Sequence, residues 1–365
     1  MERPSRIELE SKPWQGLVIA VILWSQTDLI IYYLLVFLSK IIDTSVLKLI
    51  MRLIFLILLA SFSYTENSYK LGLGSCVDYD YPIPAWNSLE QESVNSFFFL
   101  GDNIYGDVPS GKLDSVKISY KNMIKRMPEW LKKTEKLVIW DDHDYGLNDA
   151  GENYPYKAES QKIYNNAWGI NQNDPRRSRE GVYFSEFKII NQKKVLFIGL
   201  DTRYFRSNLI KIGKSYKPNK NPNTTILGPI QWNWLKNEVT REHDILILAS
   251  SIQVLASEHR FEKWANFPHE RESLLELLHN LDSNILIISG DRHRAGFYKK
   301  ENIYEFTSSS INKGLFPNYE TDTLLVGETY TQNNYGIIEF HRDSLQLFIK
   351  DEDMNVLESL EILLK

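Results

Sequence analysis

From residue 71 onward, short apolar runs alternate with amphipathic segments, the pattern of a layered α/β protein. The runs predict strands over 71–75, 96–100, 137–140, 194–200, 244–249 and 284–288. Apolar residues at helical spacing predict helices over 228–239, where Trp232 and Leu235 are one turn apart, and over 271–281, with Leu274, Leu275 and Leu278; these stripes belong to the core. After residue 304 the pattern shifts, and 304–307, 335–340 and 345–349 read as successive strands joined by polar turns. Two long stretches, 148–179 and 207–225, carry Asn, Pro, Lys and Tyr and are expected as surface loops near the mouth of a site, where ligand choice is made.

The first sixty residues differ. Runs 16–24 and 29–38 are apolar but broken by Ser25-Gln26-Thr27-Asp28, and neither reaches the roughly 20 residues of a spanning helix. A third run fits another role: Met51-Arg52, an apolar middle over 53–60 and a Ser61-Phe62-Ser63 exit have the build of a secretory signal. The expected division is therefore a hydrophobic leader at 1–63, with a signal at 51–63 or a membrane anchor through 16–60, and a folded domain at 64–365. With the signal reading, Met51 is the expected start. Either reading puts the domain outside the cytosol, secreted or held to a membrane through the leader alone.

Composition narrows the picture. The 365 residues are 43% hydrophobic with a net charge of −5, enough for one large core or two modest ones. Lys and Arg (42) nearly balance Asp and Glu (47) and no long basic block stands out, so no nucleic-acid partner is expected. Cys76 is the only cysteine, which rules out an intrachain disulfide.

The strand ends carry the chemistry. Successive strands empty into Cys76, into Asp102-Asn103-Ile104-Tyr105-Gly106-Asp107, and into Asp141-Asp142-His143-Asp144 with Asn148 and Asp149 close behind. The next three empty into Asp201-Thr202-Arg203, Ser250-Ser251-Ile252-Gln253 and Asp291-Arg292-His293-Arg294. In open α/β sheets ligands gather at the carboxyl ends of strands, where such loops converge. Carboxylates, an amide, a phenol and a histidine form a hard-ligand set suited to Fe, Mn, Ca or Mg, and one thiolate favours a transition metal at one position. His243, His259, His269, His279 and His341 lack carboxylate company and are expected to ligate nothing.

Read in order, Gly-Ser-Cys76, Gly-Asp102-Asn-Ile-Tyr105, Trp-Asp-Asp-His143-Asp-Tyr-Gly-Leu-Asn-Asp-Ala-Gly, Leu-Asp201-Thr-Arg203, Ser-Ser-Ile-Gln253, Ser-Gly-Asp291-Arg-His293-Arg and Thr307-Ser-Ser resemble the alkaline phosphatase D (PhoD-like) branch of the calcineurin-type metallophosphoesterases. The resemblance runs from about 71 to about 340. It implies a four-layered αββα sandwich and metal-dependent hydrolysis of small phosphate esters, mono- or diester, at a centre of two or more ions. Asp102 would bridge them. Cys76, Tyr105 and His293 would complete a ferric site, and Asp142, Asp291 and either Asn148 or Gln253 would hold a calcium-like ion, with Mn, Mg or Zn as alternatives. Asp142 is preferred over Asp141 because it directly precedes the histidine. His143, oriented by Asp144, would donate a proton to the leaving group, and Arg203 and Arg294 would either clamp phosphate oxygens or form ion pairs. Gly296 departs from the family pattern, which often has an acidic residue after Arg-Ala. The competing reading is a catalytically silent protein of the same fold that binds phosphorylated or lipid ligands.

Overall fold

Alternation of side chains along strands buried on both faces decides the architecture. The computed structural model describes residues 68–365 apart from Phe316, so the expected leader at 1–63, with its signal or anchor, lies outside the described residues. Three parallel strands come first: β1 (Tyr69–Gly74), β2 (Ser96–Leu100) and β3 (Glu135–Ile139). The chain then builds a second sheet from β4 (Phe184–Ile190) and β5 (Lys193–Gly199), makes a separate hairpin of β6 (Ile210–Ile212) and β7 (Ser215–Lys217), and continues with β8 (Ile245–Ser250), β9 (Asn284–Ser289), β10 (Ala295–Lys300), β11 (Ile303–Thr307) and β12 (Leu325–Tyr330). It returns to the first sheet with β13 (Asn334–Phe340), β14 (Ser344–Asp351) and β15 (Val356–Leu363). The first sheet has the order β15-β14-β13-β1-β2-β3 and the second β12-β10-β11-β9-β8-β5-β4.

In β2, Phe98 and Leu100 point into the core between the sheets, while Phe97 and Phe99 point into an outer layer. That layer is built by α1 (Ala85–Glu92), α2 (Asp114–Arg126), α3 (Glu129–Lys133), the single turn α4 (Asp142–Tyr145) and α5 (Lys157–Ala167). On the other side β8 sends Ile245, Ile247 and Ala249 inward and Leu246 and Leu248 outward. There they meet Leu235 of α6 (Gly228–Glu238) and Leu274 and Leu278 of α7 (Pro268–His279). Two buried faces require near-continuous apolar strands, and the outcome is the expected four-layered αββα sandwich. Among the described residues no helix is long and apolar enough to cross a membrane.

The structure corrects two element assignments. The stretch 148–179 contains α5, whose buried positions are Ser160, Gln161, Tyr164 and Asn165; an inward face this polar leaves no apolar stripe to read. The stretch 207–225 contains the β6–β7 hairpin.

Candidate metal centre

The ends of β1, β2, β3 and β9 converge because the chain turns sharply there. Cys76 (φ 56), Asp102 (φ 50), Asp291 (φ 62) and His293 (φ 49) all adopt the left-handed conformation that L side chains rarely take. Such strain persists where the surroundings impose it, and it clusters at functional sites. Two glycines make the approach possible. A Cβ on Gly101 (φ 96) would stand 2.6 Å from that of Asp141, and one on Gly290 would stand 2.7 Å from both the Leu100 carbonyl oxygen and Ser75.

Three overlapping donor groups result. Cys76, Asp102 and His293 form one, Asp102, Asp142 and His143 a second, and Asp102, Asp141 and Asp291 a third; within each, the ligand atoms lie within 4.8 Å of one another. Asp102 belongs to all three. Tyr105 joins the first, its hydroxyl 3.5 Å from Asp102 Oδ2, and Cys76 Sγ is 3.6 Å from the same oxygen. Ser309 fixes two members at once, with its hydroxyl 3.1 Å from Cys76 Sγ and accepting from the His293 N–H at 2.8 Å. His293 Nδ1 faces the Lys313 carbonyl at 2.7 Å and, since a carbonyl only accepts, must carry the proton. Nε2 is thereby left as a free ligand atom.

Charge shows what the cluster lacks. Burial, then the neighbouring Asp141 and Asp142, push Asp102 and Asp291 well above the ordinary carboxylate range, with His143 pulling Asp102 the other way. Burial also pushes Asp141 up to about 6 against the pull of Arg203, and raises the Cys76 thiol and the Tyr105 phenol. For Asp142 burial is outweighed by the charges of His143 and Arg203 and by the Asp149 N–H, which hold it below the ordinary range. Asp102 Oδ1 and Asp141 Oδ2 are buried without a hydrogen-bond partner. Open, buried carboxyl oxygens beside a thiol, a phenol and an imidazole are the donor set that a pair of cations satisfies, and bound cations would reverse these shifts.

His143 is oriented by Asp107, a residue for which the sequence predicts no role. Its Nδ1 lies 2.5 Å from Asp107 Oδ1, and its ring centroid is 4.3 Å from that of Tyr105. Burial would lower its pKa, but Asp102, Asp142 and Asp107 outweigh that and push it up to about 11. Asp144, the expected partner, does other work: it accepts from the backbone of Asn103 at 3.1 Å, from that of Asp141 at 3.0 Å and from Tyr120 at 3.3 Å, and closes the capping box of α4. Asp107 lies inside the Asp102 motif, and its acidic side chain two residues beyond Tyr105 is the available signal.

Both arginines are engaged by other side chains of the protein. Arg203 is fully buried, with Nε 2.5 Å from Asp141 Oδ1 and Nη1 2.6 Å from Glu262, which in turn lies 2.9 Å from Arg206. Of the two roles open to Arg203 the structure shows the ion pair, which with the Ser251 hydroxyl at 2.6 Å holds Asp141 Oδ1 and leaves Oδ2 open. Asp201 is scaffold too, accepting from the backbone of Val182, Arg203 and Tyr204. Arg294 donates to Thr329 at 2.9 Å and to Asn318, and lies 3.5 Å from Glu320. Gln253 is buried between Thr307 and Arg292, which take its amide nitrogen and oxygen at 2.8 and 3.2 Å. Asn148 is exposed and donates at 2.8 Å to Asp149, whose backbone N–H bonds Asp142 Oδ2 at 2.7 Å.

Comparison with known proteins places the family and the fold. A family model described as PhoD-like phosphatase matches residues 129–349. Cys76, Asp102 and Tyr105 lie upstream of that segment, so their place rests on the geometry. Alkaline phosphatase D of Bacillus subtilis (strain 168) is 22% identical over 285 residues, 65% of this chain and 48% of that protein, so the chain spans about half the length of this curated relative. The solved structure of PhoD is similar with a TM-score of 0.61 at 18% identity, over 80% of this chain and 72% of that one. The structure of GAP50, the anchor in the inner membrane complex of Plasmodium, is similar at 0.58 and 14% identity, over 82% and 89%. These two likenesses establish the shared fold.

Proposed function

The chain belongs to the PhoD-like phosphatase family, and we propose that it hydrolyses phosphate esters at a centre of two metal ions. Cys76, Asp102, Tyr105 and His293 would hold one ion, and Asp102, Asp142, Asp291 and the open oxygen of Asp141 the other. Thiolate and phenolate donors favour Fe(3+) at the first position, and the carboxylates favour Ca(2+) or another hard ion, Mn or Mg, at the second, with Zn as a borderline alternative. Bound there, a metal pair supplies a water ionised near neutrality and stabilises charge on the phosphoryl oxygens.

The chain's own residues do the rest. Asp107 fixes the ring of His143 through Nδ1, so that Nε2 carries the proton toward the leaving oxygen. Arg203 and Ser251 keep the Asp141 carboxylate in place, and Asp144 locks the turn that presents Asp142 and His143. The leader over 51–63 supports a secreted or extracytoplasmic setting, with membrane contact only through an anchor at 16–60.

The observation that carries this reading is the membership of Asp102 in all three donor groups. A silent fold that only binds phosphorylated or lipid ligands has no need of a complete, strained and electrostatically open ligand set. The test is metal analysis of purified protein together with assays on 4-nitrophenyl phosphate and bis(4-nitrophenyl) phosphate. Metal-dependent turnover of either ester supports the reading, and a metal-loaded protein inert toward both overturns it.

A further inference from the structure

Next to Asp291 and His293 in the chain, Arg292 and Arg294 join a buried cluster that is rich in cations and short of hydrogen-bond partners. Arg292 and Arg294 alternate with the two ligand candidates and share a single carboxylate: Arg292 Nη2 is 2.7 and 2.8 Å from the Glu320 oxygens and Arg294 Nη2 is 3.5 Å away. Arg294 Nε is buried with no hydrogen-bond partner. Lys263 is only 4% exposed, yet its ammonium donates to the Phe261 carbonyl at 3.0 Å and forms no ion pair among the described residues. His259 is 8% exposed, and neither of its ring nitrogens has a partner.

The nearby carboxylates are already engaged. Glu320 serves the two arginines, Glu262 serves Arg203 and Arg206, and Asp322 accepts from the backbone of Ser257, Glu258 and Leu324. Burial, then the charge of Arg292, pushes Lys263 down to about 8 against the weaker opposing pull of Glu320, Asp322 and Glu262. Burial and the three cations Arg292, Lys263 and Arg294 hold His259 neutral, with no carboxylate among its charged neighbours. Phe261, 41% exposed, stands against this cluster, 4.6 Å from the Arg292 guanidinium and 6.3 Å between ring centroids from His259.

Buried polar groups in folded proteins are almost always paired, and a buried ammonium lacking a counterion is a destabilising choice unless something binds it. The missing partner here is an anion. We infer that Lys263, His259, Arg292 and Arg294 form a second anion subsite, adjoining the metal centre through Asp291 and His293, that selects phosphate esters carrying a further anionic group. This rests on the phosphoesterase reading above and names its substrate class.

The experiment compares 1,3-propanediol bisphosphate with propyl phosphate on wild type, Lys263→Met and His259→Phe, reading both the kcat/KM ratio and the Tm shift each ester produces. One charge-assisted contact is worth about tenfold in affinity. The bisphosphate should therefore be preferred by about tenfold or more in wild type, and the preference should fall by about tenfold in Lys263→Met. Lys263→Met alone, without ligand, should raise Tm, because it removes a buried charge without a counterion; a lysine needed for the fold would lower it. A wild-type ratio near one, or a ratio and a bisphosphate Tm shift that both variants leave unchanged, overturns the subsite. If neither ester is turned over while the bisphosphate Tm shift is still lost in Lys263→Met, the subsite stands and the phosphoesterase reading falls.

Discussion

Two sets of buried carboxylates in this protein are handled in opposite ways. Glu270, at the start of α7, has both oxygens closed by neutral donors: Ile226 N–H at 2.7 Å and Leu227 N–H at 3.3 Å on one, Trp232 Nε1 at 2.9 Å and the Thr225 hydroxyl on the other. Glu305 likewise accepts from the backbone of Val254 at 2.9 Å and of Leu255 at 2.5 Å. At the strand ends, by contrast, Asp102 and Asp141 each leave an oxygen buried and bare. A carboxylate closed by neutral donors is part of the architecture. One left open beside three others awaits positive charge.

The largest expected effect breaks the open set. Asp102→Asn removes the carboxylate common to all three donor groups. Losing metal stabilisation worth several kcal/mol should lower phosphatase activity by about 10³-fold or more, and metal content should fall with it. Unchanged activity would remove Asp102 from the centre. His143→Asn should lower hydrolysis of alkyl esters by about 10²- to 10⁴-fold and of nitrophenyl esters far less, with metal content maintained. An equal fall for both esters would assign His143 to metal or phosphate binding. The neighbouring acids sharpen this further. Asp107→Asn should reduce activity by about 10- to 100-fold while sparing stability, whereas Asp144→Asn should lower Tm through its capping box with a smaller effect on rate. The reverse ranking would restore Asp144 as the partner of His143.

Much of this centre could be read from the sequence, because strand ends and left-handed turns place ligands locally. Cys76, Asp102, Asp142, Asp291 and His293 each follow an apolar run by one to a few residues, so one α/β rule pooled them. What could not be read depends on contacts far apart in the chain. Asp107 reaches His143 across 36 residues, and Arg203 reaches Glu262 across 59. No spacing rule links such pairs, so a fully buried ion-pair arginine looked the same as a phosphate clamp. Helix α5 escaped because its inward face carries Ser160, Gln161 and Asn165, where the apolar period would have been.

Smaller effects are expected in the closed set. Glu270→Gln puts an amide donor where four donors converge, which should cost about 1–3 kcal/mol of stability and leave metal content at the wild-type level. A loss of metal would erase the contrast between the two sets. The smallest effect is a pH dependence at the cationic cluster. Lys263 is held at about 8 when folded against 10.5 when free, so over that window the unfolded chain binds more protons and stability rises with pH. The Tm gain of Lys263→Met over wild type should shrink as pH climbs from 8 to 10.5, and a gain that stays constant would mean that Lys263 is not desolvated.

The most direct test is metal content after exhaustive dialysis, measured side by side on wild type, Asp102→Asn and Glu270→Gln. Two metal equivalents per chain are expected in wild type and in Glu270→Gln, and well under one in Asp102→Asn. A folded wild type that holds no metal and takes up none when it is offered, or an Asp102→Asn protein as fully loaded as its parent, would contradict the claim that the open carboxylates exist to hold cations.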